Sequence, residues 1–117
     1  MSSPSLLVVC LCARWCRLCD SYQATFEAIA ARHPQHRFLS IDIEDEAELV
    51  HAIDVENFPT LLIAEGRHAR FFGVLTPQPE TLERVLRAAE DRNLPTPALP
   101  LDDGEWEALC QGLNERV

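Results

Sequence analysis

Residues 6–19 read LLVVCLCARWCRLC, and the order within this stretch decides the fold. Its first half, Leu6 to Leu11, is continuous, apolar and partly β-branched, the composition of a strand buried on both faces and therefore central in its sheet. Its second half ends in Trp15-Cys16-Arg17-Leu18-Cys19, two cysteines flanking a dipeptide at the point where a helical pattern takes over. From there Leu18, Tyr22, Phe26 and Ile29 recur at helical spacing. They predict a helix from near Cys16 to just before Pro34, with one apolar stripe turned to the strand. At such a helix start the unpaired amides and the dipole stabilise a thiolate, and Arg14 and Arg17 add positive charge, so Cys16 is the candidate nucleophile. Cys19, one turn later, faces the same side within disulfide reach and lies deeper, as suits a resolving thiol.

The same residues admit a second chemistry. With Cys10 and Cys12 the pattern becomes CxCxxxCxxC, which offers four thiolates to zinc or an iron-sulfur centre. Against that, Cys10 and Cys12 share one face of an apolar strand with no loop to wrap a metal, where cysteine behaves as a small hydrophobe. Cys110 lies on an amphipathic pattern and reads as core.

Working outward, residues 36–42 (HRFLSID) predict a second strand, and Glu44, Asp45 and Glu46 place negative charge at the start of a short helix whose inner face is Ala47, Val50 and Ile53. Residues 60–64 (TLLIA) and 68–74 (HARFFGV), separated by Glu65-Gly66-Arg67, predict an antiparallel hairpin. Thr76 is the expected cap of a helix with Pro77 at its first position and Leu82, Val85, Leu86 and Ala89 on its buried side. The order is βαβαββα, an α/β mixed sheet flanked by helices, with its first two strands parallel. Three prolines stiffen residues 93–101, and beyond them Trp106, Leu109, Cys110 and Leu113 define one more helix behind Asp102 or Asp103. Residues 1–92 are expected to form the domain, with the connector and helix of 93–117 packed on it.

The 117 residues suffice for one domain, and 19 Asp plus Glu against 10 Arg, with no Lys, give a formal net charge of -9. Such a field repels phosphate backbones and anionic lipid, which argues against nucleic-acid or membrane partners. The apolar run of residues 6–13 is too short to span a bilayer and follows no basic residue, so it is taken as mature structure and a cytoplasmic location is expected. Five cysteines, four of them between Cys10 and Cys19, are unlike the even, spread framework of a secreted domain. The four histidines, His33, His36, His51 and His68, show no ligand spacing.

Trp15-Cys16-x-x-Cys19, Phe58-Pro59-Thr60 about forty residues on, and Phe72-Gly73-Val74 together resemble the thioredoxin family over residues 6–91. The resemblance implies a thioredoxin-like fold and dithiol-disulfide exchange at Cys16 and Cys19, with no cofactor beyond that redox-active disulfide. It implies a cis peptide before Pro59 and a substrate-binding strip of Phe58, Pro59, Thr60 and Gly73. The active-site neighbours would be Trp15, Arg17, Leu18, Cys10 and Cys12. Its partners would be protein disulfides and a reductase or other dithiol donor, in electron transport and cell redox homeostasis. The sequence departs from the family's pattern in several places. The family's first strand and helix have no counterpart, Arg17-Leu18 replaces Gly-Pro, Cys10 stands where a buried acid would take the resolving thiol's proton, and Cys12 replaces an aromatic residue. A competing reading keeps the fold as a binding or assembly module that holds a partner through the C-terminal helix and acidic surface.

Overall fold

The computed structural model describes residues 5–13, 16–50, 59–76, 78–99 and 101–116. Four strands form one mixed sheet in the order β2-β1-β3-β4: β1 (Leu7–Cys12), β2 (Arg37–Asp42), β3 (Thr60–Glu65) and β4 (His68–Val74). β1 runs parallel to β2 and antiparallel to β3, so the expected central strand is central. The hairpin β3–β4 turns at Gly66, whose φ of 62° suits a residue without Cβ. Between Ile63 and Ala64 the register slips, and Arg70 is the extra residue on β4.

Alternation along β1 divides the core in two. Val8, Cys10 and Cys12, with Leu61 and Ile63 of β3, meet Cys19, Tyr22, Phe26 and Ile29 of α1 (Arg17–Arg32) and Leu82, Leu86 and Ala89 of α3 (Pro79–Glu90). Val9 and Leu11, with Ile41 and Leu62, meet Leu109 and Leu113 of α4 (Asp103–Arg116), while Trp106 packs at the margin. The proline-rich connector carries the chain between these faces: Leu94 touches the first core, Leu99 and Leu101 the second. Asp102 caps α4, because its Oδ1 accepts the Glu105 amide at 2.7 Å while Glu105 Oε1 accepts the Asp102 amide at 3.0 Å. Trp106 Nε1 donates to the Arg67 carbonyl at 2.7 Å and fastens the helix to the hairpin turn.

Three local expectations are corrected. Leu18 does not lead the buried stripe of α1; it is 42% exposed and Cys19 takes that place, because the helix starts at Arg17 and its phase turns residue 19 inward. α3 starts at Pro79 behind Gln78, and Thr76 instead pairs hydroxyls with Thr81 at 2.7 Å; the proline that opens the helix is the one followed by an unbroken helical pattern. α2 (Ala47–Val50) is a single turn on which Ala47 is exposed and so does not belong to an inner face. Pro77 and Ile53 lie outside the described residues.

Candidate active site

β1 delivers its last residue, Cys12, to the C-terminal end of the strand, and four residues later Cys16 stands at the N-cap of α1. Cys16 is the N-cap: its backbone is extended, its amide donates to the Ala13 carbonyl at 3.0 Å, and its carbonyl accepts the Asp20 amide. No side-chain hydrogen bond caps the helix, so Cys16 stands at a helix start whose first-turn amides have no side-chain acceptor. Cys16 is half-buried against the first core, whereas Cys19 is 2% exposed beneath it. Arg17 and Leu18 between them are both exposed. Trp15 and Arg14 lie outside the described residues.

The sulfurs form a chain of neighbours. Cys10 and Cys12, two residues apart on the same face of β1, have their Sγ atoms 3.4 Å apart. Cys19 lies against both Cys12 and Cys16, so it is the middle member of a Cys12, Cys19, Cys16 series. Burial pushes the Cys19 thiol well above its ordinary range, and its neighbours Cys12 and Cys16 add to this, while a hydrogen bond from the Ala13 backbone opposes it. The Cys12 thiol is raised as well, chiefly by its hydrogen bond with Cys10 and then by burial. Tyr22, below them, has a fully buried hydroxyl without a hydrogen-bond partner among the described residues, and burial raises it too. All five cysteines are thiols in this structure.

Pro59 is buried and immediately precedes β3. Because Leu11 pairs with Thr60 in an antiparallel ladder, Pro59 comes next toward the end of β1 where Cys12 sits. Gly73 is opposite Leu61, which is opposite Cys10, so Gly73 lies in the same row across the sheet, two strands from the sulfurs. Thr60 is buried and Val74, paired with it, is exposed. The sheet thus gathers Cys10, Cys12, Cys16, Cys19 and Pro59 at one end and leaves Gly73 at the edge strand. Phe58, and with it the Phe58–Pro59 peptide, lies outside the described residues.

Among the described residues the group whose ligand atoms all come within 4.8 Å of one another is not the cysteine set but His33, His36 and Glu90. No spacing along the chain points to it, since Glu90 is 54 residues from His36. Its chemistry is that of a bridge. His36 Nδ1 accepts the Leu6 amide at 3.1 Å, so the ring proton is on Nε2, which donates to Glu90 Oε2 at 2.8 Å. Neither nitrogen of the buried ring keeps a lone pair for a metal; the residue ties the starts of β1 and β2 to the end of α3.

The match to known proteins agrees with this geometry. The thioredoxin family model matches residues 1–87. Rice (Oryza sativa subsp. japonica) thioredoxin H2-1 is 31% identical over 65 residues, which cover 56% of this chain and 47% of that protein. Among solved structures, a thioredoxin from Trypanosoma brucei brucei superimposes with a TM-score of 0.66 at 28% identity, covering 78% of this chain and 80% of that one. Fasciola hepatica thioredoxin shares the fold with a TM-score of 0.64 at 23% identity, over 73% of this chain and 82% of that one. A cysteine pair at a strand-to-helix junction, a proline at the mouth of the neighbouring antiparallel strand and this topology define a thioredoxin-like α/β domain. The chain belongs to the thioredoxin family. It spans about half the length of the curated relatives it matches.

Proposed function

We propose that this protein is a thiol-disulfide oxidoreductase that reduces protein disulfides through a Cys16/Cys19 dithiol-disulfide cycle. One observation carries the reading: a half-buried cysteine caps a helix that offers it free amides, and a second, buried cysteine lies against it one turn below. The Cys16 thiolate attacks a substrate sulfur, forming a mixed disulfide and expelling the other substrate sulfur as a thiolate. Cys19 then gives up its proton and attacks Cys16, which closes the Cys16–Cys19 disulfide and releases the substrate reduced. A reductase or another dithiol returns the two electrons, and no cofactor beyond the cysteine pair is used.

Buried Pro59, next to the end of β1 that carries Cys12, supports a substrate peptide laid in extended form along Phe58, Pro59 and Thr60 by main-chain bonds, a mode that accepts many sequences. The family resemblance implies a cis peptide ahead of Pro59, and Trp15, next to the nucleophile in sequence, is read as a flat shield for its sulfur. Gly73, on the edge strand, marks the far limit of that strip. Among the described residues no helix is long and apolar enough to cross a membrane. Clustered thiols without a spread disulfide framework suit the cytoplasm, where thiols stay reduced.

Insulin reduction in the presence of dithiothreitol tests the proposal. Wild-type protein is expected to hasten insulin precipitation, and Cys16→Ser to fall to the dithiothreitol background. A wild-type rate equal to that of Cys16→Ser overturns it and leaves the fold a binding module.

A further inference from the structure

The cysteines of β1 lie next to the cycle but take no part in it as described. Cys10 and Cys12 are themselves poorly placed to pair with each other. Two residues of strand separate their Cα atoms by roughly 6.6 Å with both side chains parallel, whereas a disulfide needs Cβ atoms about 3.5–4.5 Å apart. Their 3.4 Å sulfur contact is a hydrogen bond, and closing it to a bond requires bending a fully buried central strand. Cys12 has a different neighbour across the junction, Cys19, and Cys19 touches Cys16 on its other side. Cys12 and Cys19 also share an opening that Cys16 does not line: a cleft of about 220 Å³ walled by Asp20, Gln23, Ser40 and Asp42.

We propose that Cys12 is a third redox thiol, which attacks Cys19 in the Cys16–Cys19 disulfide, moves the disulfide to Cys12–Cys19 and frees Cys16. The inference rests on the dithiol cycle proposed above. In the exchange the Cys16–Cys19 bond breaks and the Cys12–Cys19 bond forms. The proton of Cys12 passes to solvent at that cleft, the electron pair leaves on Cys16 as a thiolate, and the oxidation level of the protein is unchanged, so no outside oxidant or reductant is consumed. The physical bias is clear. A disulfide between two buried residues leaves no ionisable sulfur at those positions, while the released thiolate sits on the half-buried residue, nearer to solvent than Cys12 or Cys19. Slow deprotonation of buried Cys12 sets the rate.

The consequence is an oxidised protein that still carries a nucleophile. With Cys19 held by Cys12, Cys16 attacks a substrate disulfide, and its mixed disulfide is broken by a thiol of the substrate itself. That is disulfide isomerisation, in which the substrate's thiols change partners without net reduction.

The sequence makes the test simple, because trypsin cuts after Arg14, Arg17 and Arg32 and puts Cys10 and Cys12 in peptide 1–14, Cys16 in 15–17 and Cys19 in 18–32. Intact protein is oxidised with diamide, quenched with N-ethylmaleimide and mapped without reduction. Wild type is expected to show 15–17 joined to 18–32 and, in addition, 1–14 joined to 18–32. Cys16→Ser is expected to lose two of its four remaining thiols to the second linkage, Cys10→Ser to keep that linkage, and Cys12→Ser to lose it. A wild-type map without the 1–14 to 18–32 linkage overturns the proposal. So does a Cys16→Ser protein that keeps all four thiols, or persistence of the linkage in Cys12→Ser. Absence of the 15–17 to 18–32 linkage from wild type is a separate result and overturns the dithiol cycle instead.

Discussion

Cys19 must lose a proton before it can attack, and its surroundings resist this: burial first, then the neighbouring thiols of Cys12 and Cys16. A thiol whose titration lies above the working range gains roughly tenfold in thiolate for each pH unit. Release of substrate from Cys16, followed by quenched single-turnover reaction, is therefore expected to accelerate about tenfold per unit from pH 6 to pH 9. Cys19→Ser should hold the mixed disulfide at every pH. A base near the sulfurs changes the outcome. Cys10→Asp places a carboxylate beside Cys12, one thiol away from Cys19, and is expected to speed release. The carboxylate is desolvated in an apolar strand, so urea denaturation should show a loss of roughly 3–5 kcal/mol. Release at the wild-type rate in Cys10→Asp assigns the proton to a water of the neighbouring cleft. At this scale the cysteine pair is legible in the sequence because spacing and helix start are local. The neighbours of Cys19 are not, because Cys12 meets it only when α1 docks on the face of β1 that carries Cys10 and Cys12.

Among the elements, α4 shows how much one amphipathic segment contributes. Leu109 and Leu113 close the second face of the sheet over Val9, Leu11 and Leu62, which leaves no room for treating the helix as an appendage. Leu113→Ala removes a side chain 1% exposed and is expected to cost about 2–4 kcal/mol, read as a lowered urea midpoint with an unchanged slope. Asp102→Ala removes the cap at about 1 kcal/mol. Leu18→Ala, exposed between the two catalytic candidates, should shift stability by less than ~0.5 kcal/mol. The helix of residues 103–116 was readable from its period and from the aspartates ahead of it, both local signals, while the reciprocal Asp102–Glu105 capping appears only in the structure. The start of α3 was less legible, because two X-Pro pairs, Thr76-Pro77 and Gln78-Pro79, stand two residues apart and the better capping residue belongs to the pair that does not open the helix.

For the molecule as a whole, a few ion pairs tie distant segments together. Arg92 follows α3 in a left-handed conformation, φ 55°, and its guanidinium grips Glu65 at the end of β3 with contacts of 2.6 and 3.2 Å. Arg70, the bulge residue, holds the same carboxylate. Arg92 above all, and then Arg70, keep the Glu65 carboxyl below the usual carboxylate range, against the opposing effect of burial. A group depressed in the folded state binds fewer protons there than in the unfolded chain. It therefore adds stability above the unfolded value of about 4.3 and loses it as pH falls through the folded value. Glu65→Gln is expected to lower the thermal midpoint at pH 7 and to narrow its gap from wild type as the pH drops below about 4. A gap that stays constant with pH assigns the loss to packing and not to charge.

What the sequence determined by itself was whatever depends on neighbours along the chain. The apolar run of β1, the 3.6-residue stripes of α1 and α4, the glycine turn of the hairpin and the cysteine pair at a helix start each follow from local sterics and periodicity. The family resemblance was legible because Trp15-Cys16-x-x-Cys19, Pro59 and Gly73 fall in order on the elements so predicted. The tertiary structure alone decided which distant groups meet. The parallel pairing of β1 with β2 and its antiparallel pairing with β3 bring Pro59 alongside Cys12, and helix docking sets Cys19 between Cys12 and Cys16. Packing likewise joins His36 to both Leu6 and Glu90. These contacts arise when two faces of one sheet bury different helices, and a side chain's direction across a sheet is set by register, which no stretch of sequence specifies on its own.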